Sequence, residues 1–304
     1  MSEVGGRGGW LNIDKPAGMT SFQVVARLRR VIGRCRIGHA GTLDPLATGV
    51  LPVAVGAATR TIEFHHRHPK TYRAEILFGI ATDTYDAEGK IVSQADASSL
   101  KPAEIIQALA DFRGEIQQVP PIYSALKQQG RPMYAIVRSG GSVSPEPRRV
   151  NIFRLEAVEV ELPTVVLEVE CSGGTYIRSL AHDLGQALGV GAHLRALRRT
   201  AYGPFGIETA LGSNRLTTPE AVAAGMLGVD YGLDILPRID LDELSAGKIV
   251  HGVITEELSA RLSSGQAYRL YGRDGQLAAV VDTAGEEPRL KVFASVVQVH
   301  QNGE

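Results

Sequence analysis

The sequence predicts an α+β fold, with a large domain over residues 1–235 and a small β-rich domain over residues 236–304. Three observations support this prediction. Residues 20–33 have the apolar periodicity of a helix, residues 71–80 alternate as a strand does, and glycines separate short β-like segments in the last part of the chain. A chain of 304 residues can bury a large core without disulfides or metals.

The N-terminal part predicts a strand, a helix and a loop, in that order. Residues 10–16 predict a short strand that a proline turn ends. The helix begins after Thr20, because Thr20 and Gln23 match a capping box, and it ends at Gly33. Residues 37–60 are rich in glycine, alanine and proline, so we expect a loop that leads into an apolar segment.

The rest of the large domain alternates between strand and helix patterns. We expect a strand over 71–80, a helix over 102–112, a mobile basic insertion loop over 130–149, strands over 150–162 and 165–171, a helix between the glycines at 173–174 and 189, and a strand over 193–205. In the small domain we expect strands over 267–271, 277–282 and 289–294.

The charge is unevenly distributed along the chain. The sequence holds 32 Lys and Arg against 33 Asp and Glu, a net charge of −1, which by itself argues against a nucleic-acid partner. Residues 1–80 carry a net +6, however, and residues 206–304 a net −6. This asymmetry suggests a basic working face and an acidic appendage. Arg27, Arg29 and Arg30 share the polar face of the predicted helix, which is as consistent with a solvated face as with an RNA-facing one.

Composition excludes several classes of protein and site. Two cysteines cannot build a disulfide framework or a cysteine-based metal site. No segment resembles a signal peptide or can span a bilayer, so we expect a cytoplasmic protein. The common cofactor fingerprints are absent from the sequence. We interpret residues 65–68, which read His-His-Arg-His, as an exposed basic loop rather than a metal site.

One glycine-rich loop has the composition of a catalytic site. Asp44 lies among small residues and before Pro45, where the backbone can approach a bulky ligand. For an isolated Asp-Pro pair, a turn cap is the simpler interpretation. Arg178 follows a pair of glycines at a predicted helix start, and an arginine beside a carboxylate keeps it ionised. The sequence does not show whether the two side chains meet.

Several segments, in order, resemble those of the TruB family of tRNA pseudouridine synthases. The loop at 38–49, GHAGTLDPLATG, resembles the catalytic motif of the family. Further similar segments are LNIDKPAGMTS at 11–21, KTYRA at 70–74, TDTYDAEG at 82–89, PPIYSALK at 120–127, GTYIR at 174–178 and LRALRRT at 194–200. The resemblance implies a pseudouridine-synthase-like fold with a mixed, mostly antiparallel sheet, flanking helices and a PUA-like C-terminal domain.

The resemblance also implies the reaction. One uridine of RNA, at position 55 in the T loop of tRNA, would be flipped into a pocket and isomerised to pseudouridine without a metal or organic cofactor. Asp44 corresponds to the catalytic aspartate of the family. It would either attack the sugar or abstract the C2′ proton, and both roles require the ionised carboxylate. Arg178 would be its ion-pair partner.

Further roles follow from the resemblance, residue by residue. Tyr72 would stack on the uracil and help to remove the C5 proton. Six other residues would bind substrate: Tyr176 and Leu197 by lining the pocket, His39 by filling the space left in the RNA, Asp86 by contacting flipped nucleotides, Arg60 by pairing with phosphate, and Lys15 by shaping the loop or contacting a phosphate.

The sequence also allows two other functions. A non-catalytic RNA-binding protein could keep the same scaffold, but the presence of Asp44, Tyr72 and Arg178 argues against it. A metal hydrolase could use Asp44 with the histidines at 65–68, but the ligand spacing does not converge. We therefore expect an enzyme whose partner is the T stem-loop of tRNA, with no membrane association, no obligatory protein partner and a monomeric state.

Overall fold

The structure is a computed structural model that describes residues 8–124, 126–128, 130–285 and 287–292. The first seven residues, the end of the strand predicted over 289–294 and the last residues of the small domain lie outside the described residues. The strands are β1 (Gly8–Lys15), β2 (Ile37–His39), β3 (Thr48–Gly56), β4 (Lys70–Phe78), β5 (Ile80–Thr82), β6 (Ile91–Gln94), β7 (Gly114–Gln118), β8 (Lys127–Gln128), β9 (Arg131–Pro132), β10 (Arg148–Glu161), β11 (Thr164–Cys171), β12 (Ala192–Tyr202), β13 (Phe205–Gly206), β14 (Leu211–Gly212), β15 (Arg238–Asp240), β16 (Ala267–Tyr271), β17 (Leu277–Asp282) and β18 (Arg289–Val292).

The helices are shorter than the strands in total length. They are α1 (Ser21–Ile32), α2 (Ile62–His65), α3 (Pro102–Ala108), α4 (Met133–Arg138), α5 (Ile177–Ala187), α6 (Pro219–Ala224), α7 (Glu243–Val250) and α8 (Glu256–Ala260). Short 3-10 turns cover Ala57–Thr61, Leu109–Phe112 and Ile207–Thr209. No helix in the described part of the chain is long and apolar enough to cross a membrane.

The main sheet runs in the order β14-β1-β3-β12-β4-β11-β10-β7, with β2 beside β3 and β13 beside β12. Strand pairs β1–β14 and β3–β12 are parallel, and the others in this sheet are antiparallel. The predicted mixed, mostly antiparallel sheet is therefore confirmed. The parallel contact between β3 and β12 brings the loop before β3 next to the centre of the sheet.

Two helices, α1 and α5, pack their apolar faces on this sheet. The alternation predicted for β4 is present, because Tyr72, Ala74, Ile76 and Phe78 all pack in one core cluster with the apolar face of α5. Helix α1 packs its own apolar face on β1 and β3. Its capping box is formed as predicted: Gln23 N donates to Thr20 Oγ1 at 3.1 Å, and Thr20 N donates to Gln23 Oε1 at 2.7 Å. Alternating strands and amphipathic helices thus form the layers that their sequences predict.

The prediction of a loop over residues 37–60 is wrong, because this segment contains β2 and the central strand β3. Leu51, Val53 and Val55 pack under α1, whereas Val50 and Ala54 face a second cluster around Trp10. A strand buried on both faces is continuously apolar and shows no alternation. The periodicity that identified β4 was therefore not available for β3.

Other segments depart from the sequence predictions in smaller ways. The predicted insertion loop over 130–149 contains helix α4 and the strand β9, which pairs with β8. The C-terminal part has the three expected strands β16, β17 and β18, in the order β15-β16-β17-β18, but also β15, α7 and α8, which were not predicted. The two cysteines are free: Cys35 follows α1 and is half-buried, and Cys171 ends β11 and is buried.

Candidate active site

The loop between β2 and β3 holds Asp44 in a fixed position next to the start of α1. Ser21, the first residue of α1, donates its hydroxyl to the Leu43 carbonyl at 3.2 Å and accepts from Leu43 N at 2.9 Å. Gly18 N donates to the Pro45 carbonyl at 2.8 Å. The residues on both sides of Asp44 are therefore attached to the segment that leads into α1.

Arg178 meets Asp44, as the sequence could only suggest. The Nε atom of Arg178 lies 3.0 Å from Oδ2 of Asp44, and Nη2 donates to Oδ1 at 3.4 Å. Nη1 of the same guanidinium lies 3.3 Å from Oδ2 of Asp86. Arg178 is the second residue of α5, and its side chain is only 6% exposed. A two-pronged contact with a buried guanidinium fixes the orientation of the Asp44 carboxylate.

Burial and charge act in opposite directions on Asp44. Burial raises the pKa of the Asp44 carboxyl above its usual value, and the Arg178 guanidinium lowers it. Asp86 raises this pKa further and Lys15 lowers it. The Asp44 side chain remains 36% exposed. The Asp44 carboxylate is thus accessible to a substrate from the surface, whereas the Arg178 guanidinium that pairs with it is buried.

Asp86 pairs with Arg178 and is itself held in place by several hydrogen bonds. Its side chain is 5% exposed, and its Oδ1 accepts from Thr84 Oγ1 at 2.6 Å and from Glu88 N at 3.1 Å. The Thr84 carbonyl also accepts from Arg178 at 3.3 Å. With so many bonds inside the protein, little of the carboxylate is left for the predicted contact with flipped nucleotides. We therefore propose that Asp86 positions the Arg178 guanidinium.

The turn that carries Asp86 has an unusual backbone. Tyr85 has a φ of +64°, the only positive φ at a non-glycine residue in the described part of the chain. Its ring stacks on His182 at 3.9 Å between centroids. His182 lies one turn after Arg178 on α5. A strained residue of this kind persists only where its surroundings hold it, and here it lies next to Asp86 in the turn that contacts Arg178.

Lys15 supports the loop from behind. Its side chain is buried, and Nζ donates to the carbonyls of Pro16, Met19 and Pro45 at 2.9, 2.6 and 3.3 Å. Burial lowers the pKa of Lys15 to about 8. These three bonds use every donor of the ammonium group. Of the two roles that the resemblance implied, this arrangement favours shaping the loop over contacting a phosphate.

Tyr72 is next to a buried arginine that sequence reasoning missed. Tyr72 lies on β4 directly opposite Arg199 of β12, so the two side chains are neighbours on one face of the sheet. Burial raises the pKa of the Tyr72 phenol, and the Arg199 charge lowers it. Arg199 is 1% exposed and donates to the carbonyls of Val50 at 2.6 Å and Gly41 at 3.1 Å. It therefore joins Tyr72 to both ends of the Asp44 loop.

The strand that carries Arg199 also approaches the end of this loop closely. Gly49 has a φ of +98°, and a Cβ at this position would lie 2.2 Å from the Arg199 carbonyl oxygen. Only glycine combines this φ with so close an approach of two backbones. The position requires glycine for both reasons, which accounts for one of the three glycines in the motif.

The remaining predicted substrate residues divide into two groups. Tyr176 and Leu197 lie near Asp44: the Asp44 charge acts on the Tyr176 phenol, and Leu197 shares a core cluster with Leu43 and Tyr72.

His39 ends β2 at the edge of the loop, and burial lowers the pKa of its imidazole. Arg60 lies elsewhere, in the turn after β3, where its carbonyl accepts from Lys291 of β18 at 3.2 Å.

The segment at 65–68 forms the predicted exposed loop only at its centre, where His66 and Arg67 are exposed. His65 is 0% exposed and His68 is 4% exposed. His65 packs against Trp10 and Phe205, and His68 bonds the Gly232 carbonyl at 2.8 Å. Burial lowers the pKa of His65 to about 3, so the imidazole is neutral. Within the described residues, no group of three or more His, Cys, Asp or Glu side chains could hold a metal ion.

Sequence comparison relates this site to known enzymes. The family model "TruB family pseudouridylate synthase (N terminal domain)" matches residues 29–177, and "tRNA pseudouridylate synthase B C-terminal domain" matches residues 178–227. The chain is 41% identical over 290 residues to tRNA pseudouridine synthase B of Dehalococcoides mccartyi strain CBDB1, covering 94% of this chain and 96% of that one. It is 47% identical over 251 residues to the same enzyme of Symbiobacterium thermophilum, covering 81% and 82%.

Solved structures share the fold. A chain of a Cbf5–Nop10–Gar1 complex superimposes with a TM-score of 0.72 at 27% identity, covering 94% of this chain and 85% of that one. A chain of an H/ACA RNP bound to a substrate RNA containing 2'-deoxyuridine superimposes with a TM-score of 0.68 at 26% identity, covering 94% and 84%. The fold and the site define a pseudouridine synthase. The chain belongs to the TruB family of pseudouridylate synthases, as the resemblance predicted.

Proposed function

We propose that this enzyme isomerises a uridine of tRNA to pseudouridine, and that the uridine is the one at position 55 in the T loop. The observation that carries the proposal is the ion pair between Asp44 and the buried Arg178, in a loop that resembles the catalytic motif of the family. The tRNA substrate is supported by the relatives named tRNA pseudouridine synthase B.

The chemistry requires little beyond a well-placed carboxylate. The N1–C1′ bond breaks, the uracil turns, and C5 bonds to C1′; the C5 proton leaves and N1 gains one, so the atoms balance without water or a redox partner. Asp44 acts in its ionised form, either on C1′ or on the C2′ proton. Burial raises the pKa of this carboxyl, and the Arg178 guanidinium opposes that effect and favours the charged form.

The other site residues prepare the pocket. Tyr72 stacks on the uracil, and Arg199 and Lys15 position the loop. Tyr176 and Leu197 form apolar walls that exclude water and strengthen the charge interactions inside. A nucleotide inside a folded loop must be flipped to reach Asp44, and His39, at the edge of the loop, fills the place that the base leaves. Arg60 pairs with a phosphate of the RNA.

We propose a PUA-like RNA-binding role for the C-terminal part and a domain boundary near residue 235. The four-stranded order β15-β16-β17-β18, with α7 and α8 beside it, supports a separately organised unit. We further propose that the enzyme acts as a monomer, because catalysis needs no residue from a second chain. Sedimentation of the protein at micromolar concentration, with and without tRNA, tests the monomeric state.

The decisive experiment maps the product. Purified protein is incubated with unmodified tRNA in EDTA, and pseudouridine is located by carbodiimide-dependent stops of reverse transcription. We expect one stop at the T-loop uridine with the wild type. Asp44→Asn should reduce turnover by about 10²–10⁴-fold or more, while tRNA binding stays near that of the wild type. A folded wild-type protein that produces no stop there would contradict the proposed function.

A further inference from the structure

The outer face of α1 and the turn after it form a strongly basic surface. It carries five arginines, four of them exposed and one half-buried: Arg27, Arg29, Arg30, Arg34 and Arg36. The sequence has no acidic residue between Asp14 and Asp44, so no neighbour along the chain neutralises them. We call these five residues the α1 arginine surface.

In the part of the chain that the structure describes, the arginines of this surface have no acidic partner. Within the described residues, none of their side chains makes a hydrogen bond or an ion pair with an acid. Arginines elsewhere do: Arg154 contacts Glu168, and Arg238 lies 2.7 Å from Asp240. The helix dipole can account for Arg29 and Arg30 in the last turn of α1, but not for the other three. Five unpaired cations repel one another, so an anionic ligand would relieve the repulsion.

A groove lies beside these arginines. It has a volume of about 390 Å³ and is lined by Met19, Gln23, Ala26, Arg27 and Arg30. Ligand pockets have volumes of about 300–1,000 Å³, so one nucleotide unit can enter. The groove combines apolar contact for a ribose or base with guanidinium groups for a phosphate. Phe22, next to the groove on α1, is 68% exposed and extends the apolar area.

The groove is physically close to the catalytic loop. Met19 lies between Gly18, which bonds Pro45, and Ser21, which bonds Leu43. A strand of RNA in the groove therefore runs beside the loop that holds Asp44. When the target nucleotide of a folded RNA loop is flipped into the site, the phosphates next to it lie close to the catalytic loop.

We infer that the α1 arginine surface and its groove bind the sugar–phosphate backbone of the substrate RNA next to the flipped nucleotide. This inference rests on the proposed function, since it takes the same RNA as the substrate. Charge complementarity identifies the occupant: five unpaired guanidiniums match a polyanion, and phosphate contacts dominate the affinity of proteins for nucleic acids.

The salt dependence of tRNA binding tests this inference. Arg27→Gln/Arg30→Gln removes the two arginines that line the groove. Each lost phosphate contact lowers the slope of log K against log salt by about 0.7–0.9. We therefore expect the wild type to lose about seven- to twelvefold more affinity than this variant between 50 and 200 mM salt. Arg27→Lys/Arg30→Lys keeps the charge and should retain most of the slope.

A matched control separates local contact from net charge. Lys90→Gln/Lys101→Gln makes the same change in charge at exposed positions outside the surface. It should bind tRNA with the slope of the wild type and form pseudouridine at the same rate. If the groove variant keeps the slope of this control while its melting temperature stays that of the wild type, the inference is wrong. Product mapping with the wild type, run in parallel, reports separately whether the proposed function holds.

Discussion

Two buried arginines organise the active site from opposite sides. Arg178 distributes its donors over the Asp44 and Asp86 carboxylates and the backbone carbonyls of Thr84 and Tyr123. Its position is therefore fixed before substrate arrives, and the Asp44 carboxylate is held with it. A charged group that is already oriented needs no reorganisation during the reaction, which is the main electrostatic advantage of a protein site over water.

Arg199 holds the side of the site where the catalytic loop meets β4. Because it donates to the carbonyls of Val50 and Gly41 and lies opposite Tyr72, it sets the distance between the catalytic loop and the β4 strand. Its guanidinium also packs on the Tyr202 ring, 5.2 Å from the centroid. We regard it as a positioning residue, because these contacts reach the substrate only through the loop and through Tyr72.

Arg199→Lys should separate this positioning role from charge. A lysine cannot reach both carbonyls, and an unsatisfied buried carbonyl costs about 1–3 kcal/mol. We expect the single-turnover rate at saturating enzyme to fall about 10- to 100-fold, because the loop and Tyr72 lose their alignment, with tRNA affinity nearly unchanged. Arg198→Lys, at the neighbouring position where the side chain is 40% exposed and pairs with Asp14, is the control. Equal rates for the two variants would contradict the assignment.

At the scale of elements, the crossing of β3 and β12 determines where the catalytic loop ends. The two strands are parallel and pair only at Thr48 and Gly49, opposite Arg198 and Arg199. The loop therefore has to end at a backbone contact, and a side chain at Gly49 would push the strands apart. The same contact places Arg199 beneath the loop, so strand pairing and site geometry depend on one residue.

Gly49→Ala tests this dependence against a second glycine with positive φ. Gly33, which ends α1, has a φ of +79° and open space where a Cβ would be. Gly33→Ala should cost about 1–2 kcal/mol, the cost of the left-handed backbone alone. Gly49→Ala adds a backbone clash and should cost at least about 3 kcal/mol. Urea denaturation measures both, and similar losses would show that the strand approach is not needed.

Elements with a visible period or cap were predictable from the sequence. The capping box of α1 and the alternation of β4 both depend on neighbouring residues, and both are present. Strand β3 was missed because burial on two faces removes the alternation. The burial of His65 was missed because it depends on Trp10 and Phe205, which are distant in the sequence.

In the site, too, residues within a recognisable motif could be predicted, and a residue that depends on distant contacts could not. The family motif identified Asp44 and Arg178 as members of one site, and the structure joins them. Arg199 could not be singled out, because three arginines lie close together in β12 and two β-bulges interrupt its pairing with β4. Periodicity along an irregular strand does not show which arginine faces the core.

At the scale of the whole molecule, one cluster joins the catalytic part to the C-terminal sheet. Phe64 of α2 packs with Leu233, Leu236 and residues of β16 and β17. Lys291 of β18 pairs with Glu63, and its ammonium lies 5.0 Å from the centre of the Phe64 ring. The short helix α2 therefore couples the two parts of the chain by apolar packing and by charge.

Leu236→Ala should destabilise both parts together. Leu236 is 1% exposed, and truncation of a buried leucine costs about 2–5 kcal/mol. Trp10 is the single tryptophan and lies on the catalytic side, so its fluorescence reports that side alone. We expect its urea midpoint to fall in Leu236→Ala. Leu258→Ala, in a separate cluster of the C-terminal part, should leave it nearly unchanged. A Trp10 transition that moves equally in both variants would instead indicate one cooperative unit.

The placement of the two cysteines has a practical consequence. Burial raises the pKa of both thiols, that of Cys171 to about 11, and Cys171 is almost inaccessible. Cys35 is half-buried between Arg34 and Arg36. A thiol-selective dye at mildly alkaline pH should therefore attach at one native position, inside the α1 arginine surface. The unaltered chain thus carries its own attachment point for a fluorescent reporter of RNA arrival, readable in real time by stopped flow.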